Sequence, residues 1–143
     1  LDLSSTKQAW FSSRFKVSDA TQSDVVIGMQ VVDTTPLDVT DGIYFLKADG
    51  AATVNIVCRK DATTGSTSAS SVATLVADTF IQLDWYYDGA GYLFYAIDGT
   101  VSGSLSVADY FPNTTVTMSF ALQNGEAVAK TMTVDWVGVW QER

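Results

Sequence analysis

The 143 residues include 16 acidic and 8 basic side chains, for a net charge of -8; 47% are hydrophobic and 12% aromatic. That hydrophobic content excludes a disordered tail, and the apolar runs are too short for a helical membrane span. Phosphate backbones and anionic membranes both require a basic patch, and no Lys or Arg lies between Lys60 and Lys130, so neither nucleic acid nor a membrane is an expected partner.

A chain of this length is expected to form one domain over 1–143, large enough to bury roughly two thirds of its unfolded surface. Leu1 opens no basic start followed by an apolar stretch, so no signal peptide is read there. From the N-terminus, Lys7 to Val17 alternates, with Ala9, Phe11, Phe15 and Val17 on one face; Asp24 to Val32 follows with Val25, Ile27, Met29 and Val31. Thr34-Thr35-Pro36-Leu37-Asp38 forms a loop pinned by its proline. Strands are expected at Ile43 to Lys47 and Thr53 to Arg59. Ala62 to Ser71 lacks large apolar side chains and is expected to be an exposed, mobile loop tip.

Phe80 to Gly99 is the most informative stretch. Ile81, Leu83, Trp85 and Tyr87 share one face while Gln82, Asp84 and Tyr86 share the other. Asp88-Gly89-Ala90-Gly91 turns the chain, and Leu93, Tyr95 and Ile97 resume the apolar face up to a second turn at Asp98-Gly99. Asp41-Gly42, Asp49-Gly50 and Asn124-Gly125 are further turn signals of the same chemistry. Asp109-Tyr110-Phe111-Pro112-Asn113 is a loop whose aromatics are expected to cap one end of the fold. Thr114 to Leu122 alternates again, with Val116, Met118, Phe120 and Leu122 on one face. In the last strand, Thr131 to Gln141, Met132, Val134, Trp136 and Trp140 fall on one face and Val137 and Val139 on the other, which predicts a central strand buried on both sides.

Eight to ten short strands without a long amphipathic helix predict an all-β, antiparallel two-sheet β-sandwich of jelly-roll type, its first strand paired beside its last. The single cysteine, Cys58, alternates with Val54 and Ile56 and is expected in the core, since the chain has no histidine to activate a thiol.

The series LDWYYDGAGYLFYAIDGTVSGSL, followed by TMTVDWVGVWQER, resembles the concanavalin A-like lectin/glucanase jelly roll. The stretches WFSSRFKVSDATQSDVVIGMQVVDTT, DGIYFLKADG and ALQNGEAVAKTMTVDWVGVWQER are similar to capsid-associated structural proteins of tailed bacteriophages. That resemblance implies a virion protein of the capsid surface, a decoration protein whose partner is the major capsid protein and which acts as a homo-oligomer.

Enzyme chemistry is not expected. Retaining glucanases need two carboxyl groups roughly 5 Å apart, yet the glutamates here are Glu126 and Glu142 only, and neither Asp84 nor Asp135 has an acidic neighbour two residues away. Without histidine there is no Ser-His-Asp triad, and one cysteine makes zinc implausible. No cofactor is expected. Calcium, which the lectin resemblance brings into consideration, is not favoured, because four aspartates precede glycine at turns where Asp is preferred without any metal. The alternative to a capsid protein is a carbohydrate-binding module or surface adhesin. Its candidate glycan contacts are Gln82, Asp84 and Tyr86, with Trp10 or Trp140 as stacking surfaces; packing on a sheet face is the competing role of these aromatics.

Overall fold

The computed structural model describes residues 1–62 and 67–143. Ten strands run β1 (Ala9–Val17), β2 (Ser23–Gln30), β3 (Gly42–Lys47), β4 (Thr53–Arg59), β5 (Thr67–Thr74), β6 (Ile81–Tyr87), β7 (Tyr92–Ile97), β8 (Thr100–Ser106), β9 (Thr117–Asn124) and β10 (Met132–Gln141). They form two antiparallel five-stranded sheets, β10-β1-β6-β7-β8 and β5-β4-β3-β2-β9, and the described residues contain no helix. The all-β sandwich and the pairing of first strand with last are therefore as the alternation predicts.

The core lies between the sheets. Phe11, Phe15 and Val17 of β1 and Leu83, Trp85 and Tyr87 of β6 face Val25, Ile27 and Met29 of β2, Ile43 and Phe45 of β3, and Val54, Ile56 and Cys58 of β4, all buried. Phe11 stacks on Trp85 with ring centroids 5.9 Å apart, and Phe111 of the 109–113 loop packs 4.0 Å from Tyr87, closing one end of the core as expected. A smaller cluster sits on the outer face of the second sheet, where Val26 and Tyr44 are covered by Val39 and Leu37 of the loop between β2 and β3. That loop is held locally by the Asp33 carboxylate, which accepts the Thr35 amide at 2.7 Å.

Turn chemistry explains the hairpins. Asp98 (φ 49°) and Gly99 (φ 78°) both adopt the left-handed conformation that a two-residue hairpin with native twist requires, and join β7 to β8. Gly89 and Gly91 at φ 74° and 103° do the same between β6 and β7.

Four expectations need correction. The last strand is an edge strand, because β10 pairs with β1 alone. A bulge breaks its alternation: Arg14 lies opposite Trp136 but Phe15 opposite Val134, so Asp135 is the extra residue. Trp136 and Trp140 therefore share the outer face, while Met132, Val137 and Val139 pack on the core. Asp41-Gly42 is not a hairpin turn; Gly42 is the first residue of β3, and a Cβ there would lie 2.7 Å from the Met29 carbonyl oxygen. Of the expected loop at Ala62 to Ser71, residues 63–66 lie outside the described residues, and Thr67 onward is strand β5, paired with β4 despite its small side chains because the ladder needs only backbone groups. Strand β8, also rich in small residues, follows the Asp98-Gly99 turn and pairs with β7, a strand that side-chain alternation does not announce.

Candidate functional site: an aromatic groove

Register across the first sheet builds the site. On its outer face Trp140 lies opposite Trp10, Trp10 opposite Tyr86, Tyr86 opposite Phe94, and Phe94 opposite Ser104. Four aromatic residues thus occupy one row across β10, β1, β6 and β7. Trp10 and Tyr86 stack with centroids 5.0 Å apart, and Tyr86 and Phe94 at 6.0 Å. The next row consists of small or short residues: Gly138, Ser12, Asp84, Ala96 and Val101. A third row carries Trp136, Arg14 and Gln82. Low residues between two taller rows leave a trough perpendicular to the strands. It has a volume of about 800 Å³ and is lined chiefly by Trp10, Ser12, Asp84, Tyr86, Phe94, Ala96, Val101, Trp136 and Trp140. Crossing five strands, the trough is about 19 Å long at the usual ~4.8 Å strand spacing.

Glycine has a specific use here. The benzo edge of Trp140 folds back over Gly138, so that any Cβ at 138 would overlap the ring. Trp140 is 56% exposed, and Trp10 and Trp136 are each 38% exposed, unusual values for tryptophans held by a folded sheet.

The polar groups of the trough are few and connected. Asp84 on the floor accepts hydrogen bonds from Ser12 Oγ and from Gln82 Nε2, the latter at 3.0 and 3.1 Å to its two oxygens. Arg14 does not reach into this network as a free cation. Its guanidinium pairs with Asp135 at 2.5 Å and lies over the Phe80 ring at 4.4 Å. The bulge that puts Asp135 beside Arg14 thereby removes the nearest positive charge from the trough.

The structure brings all three sequence-derived glycan candidates, Gln82, Asp84 and Tyr86, onto this one face, and places Trp10 and Trp140 with them. Sequence reasoning missed Phe94 and Trp136. Phe94 alternates with Leu93 and Tyr95 and could have been assigned outward from the hairpin pattern; Trp136 shares a face with Trp140 by alternation and could have been grouped with it. Other candidates fall elsewhere. Glu126 is engaged by Lys130 at 2.5 Å, and Glu142 accepts the Gln8 amide at 3.3 Å; neither lines the trough. Cys58 is fully buried, donates to the Tyr110 carbonyl at 3.3 Å, and burial pushes its thiol far above the ordinary range. Among the described residues, no group of three or more His, Cys, Asp or Glu side chains could hold a metal ion.

No protein-family model and no curated protein matches this chain. Solved structures do match in fold. A family 7 alginate lyase, A1-II', in complex with substrate aligns with 99% of this chain and 63% of its own at 7% identity, TM-score 0.65. A GH16 enzyme of the Bacteroides ovatus mixed-linkage glucan locus, in complex with a G4G4G3G product, aligns with 94% of this chain and 69% of its own at 12% identity, TM-score 0.66. A heptameric SAP-like pentraxin from Limulus polyphemus aligns with 93% of this chain and 63% of its own at 11% identity, TM-score 0.55. The chain thus spans about two thirds of the length of these neighbours. At such identities the likeness concerns fold alone, and that fold is the concanavalin A-like jelly-roll sandwich, in which carbohydrate-active enzymes recur among the neighbours.

Proposed function

We propose that this chain is a non-enzymatic carbohydrate-binding domain that holds a glycan across the outer face of its first sheet. The observation that carries the reading is the row of stacked rings of Trp10, Tyr86 and Phe94, with the exposed Trp140, beside a trough of small residues. A concave, mostly apolar site with a few placed polar groups is the usual form of a small-molecule site, and its volume falls within the ~300–1,000 Å³ range of such sites. The lyase and glycanase neighbours, which are described with a substrate and a product, add support at the level of fold. Non-catalytic action is supported by the carboxylates of the region, each already engaged by a neighbouring side chain: Asp84 by Ser12 and Gln82, Asp135 by Arg14. The test is retention on immobilised polysaccharides and a glycan array by the parent protein, Tyr86→Ala and Trp140→Ala. Retention that falls at least about tenfold in both variants, with folding intact, supports the reading, since truncating a central aromatic anchor costs about 2 kcal/mol or more. Undiminished retention, or no retention by the parent, overturns it.

A second reading, a capsid decoration protein bound to the major capsid protein of a tailed phage as a symmetric oligomer, is favoured by a different observation. Met118, Val128 and Val134 are 46%, 56% and 38% exposed and lie outside the trough, on the edge strands β9 and β10 and the segment between them. Apolar side chains gathered along sheet edges are characteristic of surfaces that meet another protein. Many weak contacts of this kind add through multivalency on a repeating shell. The two readings meet in an adhesin displayed on a virion. Copy number against the major capsid protein in purified virions, measured by quantitative mass spectrometry, tests the second. Many copies per capsid support it, and absence from virions rejects it.

A further inference from the structure

The trough contains a charge with no counter-charge. Asp84 lies on its floor between the aromatic row of Trp10, Tyr86 and Phe94 and the row of Arg14 and Gln82. Its hydrogen-bond donors, Ser12 Oγ and Gln82 Nε2, are both neutral, and no ion pair reaches it among the described residues. Arg14, two residues from Ser12 on the same strand face, is committed to Asp135 and to the Phe80 ring. An ionised carboxylate offers about four acceptor sites, so Asp84 keeps capacity for a ligand donor. The surrounding field has the same sign: the net charge is -8, with no Lys or Arg from residue 61 to residue 129. Aromatic faces next to the carboxylate attract a cation through their quadrupoles, tryptophan most strongly.

We propose that Asp84 makes the groove select glycans bearing a positively charged amino group, binding an unacetylated hexosamine chain in preference to a neutral chain and a neutral chain in preference to a uronate. This rests on the carbohydrate-binding reading of the same groove. The ammonium group would meet Asp84 across a floor of Ser12 and Ala96, beside the Trp140 ring that covers Gly138. A uronate carboxylate in the same place meets a like charge in an apolar trough whose nearest arginine already pairs with Asp135, an arrangement that costs affinity. The alginate lyase neighbour would then share the sandwich and differ in the charge of its ligand.

The experiment is a charge series on one backbone length. Hexamers of glucosamine, glucose and mannuronate are titrated by calorimetry at ~0.15 M salt, where long-range attraction is largely screened, into the parent protein, Asp84→Asn and Asp109→Asn. Asp109 is exposed in the turn after β8 and does not line the trough, so it reports the general effect of removing one negative charge. The expected result is that the parent binds the glucosamine hexamer best and the mannuronate hexamer least. Asp84→Asn should lose about tenfold in affinity for the glucosamine hexamer, the size of one charge-assisted hydrogen bond, keep the neutral hexamer, and gain the mannuronate hexamer. Asp109→Asn should behave as the parent. Equal binding of the three hexamers by the parent, or equal losses in the two variants, overturns the charge selection and leaves the glycan reading in place. Failure of every hexamer to bind the parent overturns both. Thermal melts verify that each variant is folded, so that a change in affinity reports on the side chain at position 84.

Discussion

Lys47 offers a sharp test of how this sandwich is held together. It ends β3 on the core-facing side, after Ile43 and Phe45, and is 1% exposed. Its ammonium donates to the Thr21 carbonyl at 3.1 Å, to the Ser23 carbonyl, and to Ser23 Oγ at 3.3 Å, tying β3 to the start of β2. Lys47→Met keeps an unbranched apolar stem of similar length and removes only the donors and the charge. The Thr21 carbonyl still accepts the Gly50 amide at 2.9 Å, so the larger loss falls on Ser23. One full and one partial charge-assisted hydrogen bond are worth about 3–4 kcal/mol. Removing a buried charge returns part of that, leaving a net destabilisation of about 2 kcal/mol and a melting temperature lower by about 8 °C. The pH dependence carries a sign as well. Burial lowers the Lys47 pKa from its ordinary 10.5, against Asp49, Asp24 and Asp19, which raise it. The unfolded chain therefore binds more protons between the folded pKa and 10.5, and the parent gains stability across that window while Lys47→Met does not. The gap between the two proteins should widen as pH rises from neutrality toward 10.5; tyrosine ionisation affects both alike and cancels in the difference. Urea unfolding of both proteins across that range measures it. A Met variant as stable as the parent at pH 7, or a gap that narrows with pH, would falsify the reasoning.

Gly28→Ala should be among the most damaging single changes, because its Cβ would lie 2.5 Å from both the Ile43 carbonyl oxygen and Tyr44 Cα, backbone atoms of β3 that cannot retreat without breaking the ladder. A loss of about 3 kcal/mol or failure to fold is expected, and a loss below about 1 kcal/mol by denaturant titration would refute the close approach. Gly138→Ala should do the opposite: the melting temperature stays within about 2 °C, since the group displaced is an exposed ring, while glycan retention drops with Trp140 out of place. Cys58 should resist thiol reagents in buffer and react once the protein is unfolded; labelling in the native state would contradict its burial. Acid should destabilise the 19–22 turn. The Gln22 amide foremost, then Lys130 and the Thr21 amide, hold the Asp19 carboxyl well below its usual 3.8, so the stability they confer is complete above the unfolded pKa and is lost as pH falls through the folded one. Asp19→Asn should therefore show a shallower acid limb than the parent when melting temperature is followed below about pH 4.

Period-two alternation and Asp-Gly turns are local signals, and they sufficed for most strands. Thr53–Arg59 has the bounds the pattern predicts, and the 80–99 hairpin places every inward and outward side chain as its alternation requires. Three features resisted. Strands β5 and β8 are made of Ser, Thr, Ala, Val, Leu and Gly with few large side chains, so their existence depends on backbone hydrogen bonds offered by β4 and β7, which no local pattern records. The bulge at Asp135 shifts one strand by a single residue, and a one-residue shift exchanges the two faces of everything beyond it. Lys47 sits at a core-facing position where its ammonium survives only because the Thr21 and Ser23 carbonyls lie within reach.

The sequence by itself determined the class of the fold, the core faces of β1, β2, β4 and β6, and the outward trio of Gln82, Asp84 and Tyr86, since each depends on the spacing of residues along one strand. Only the tertiary structure decided that Trp10, Phe94, Trp136 and Trp140 join that trio, that Ser12, Asp84 and Ala96 line up as the floor between them, and that Arg14 is taken up by Asp135. A groove that runs across strands is a property of register between segments more than a hundred residues apart, and register is settled by which edges pair and where they bulge, a collective outcome that no single strand encodes.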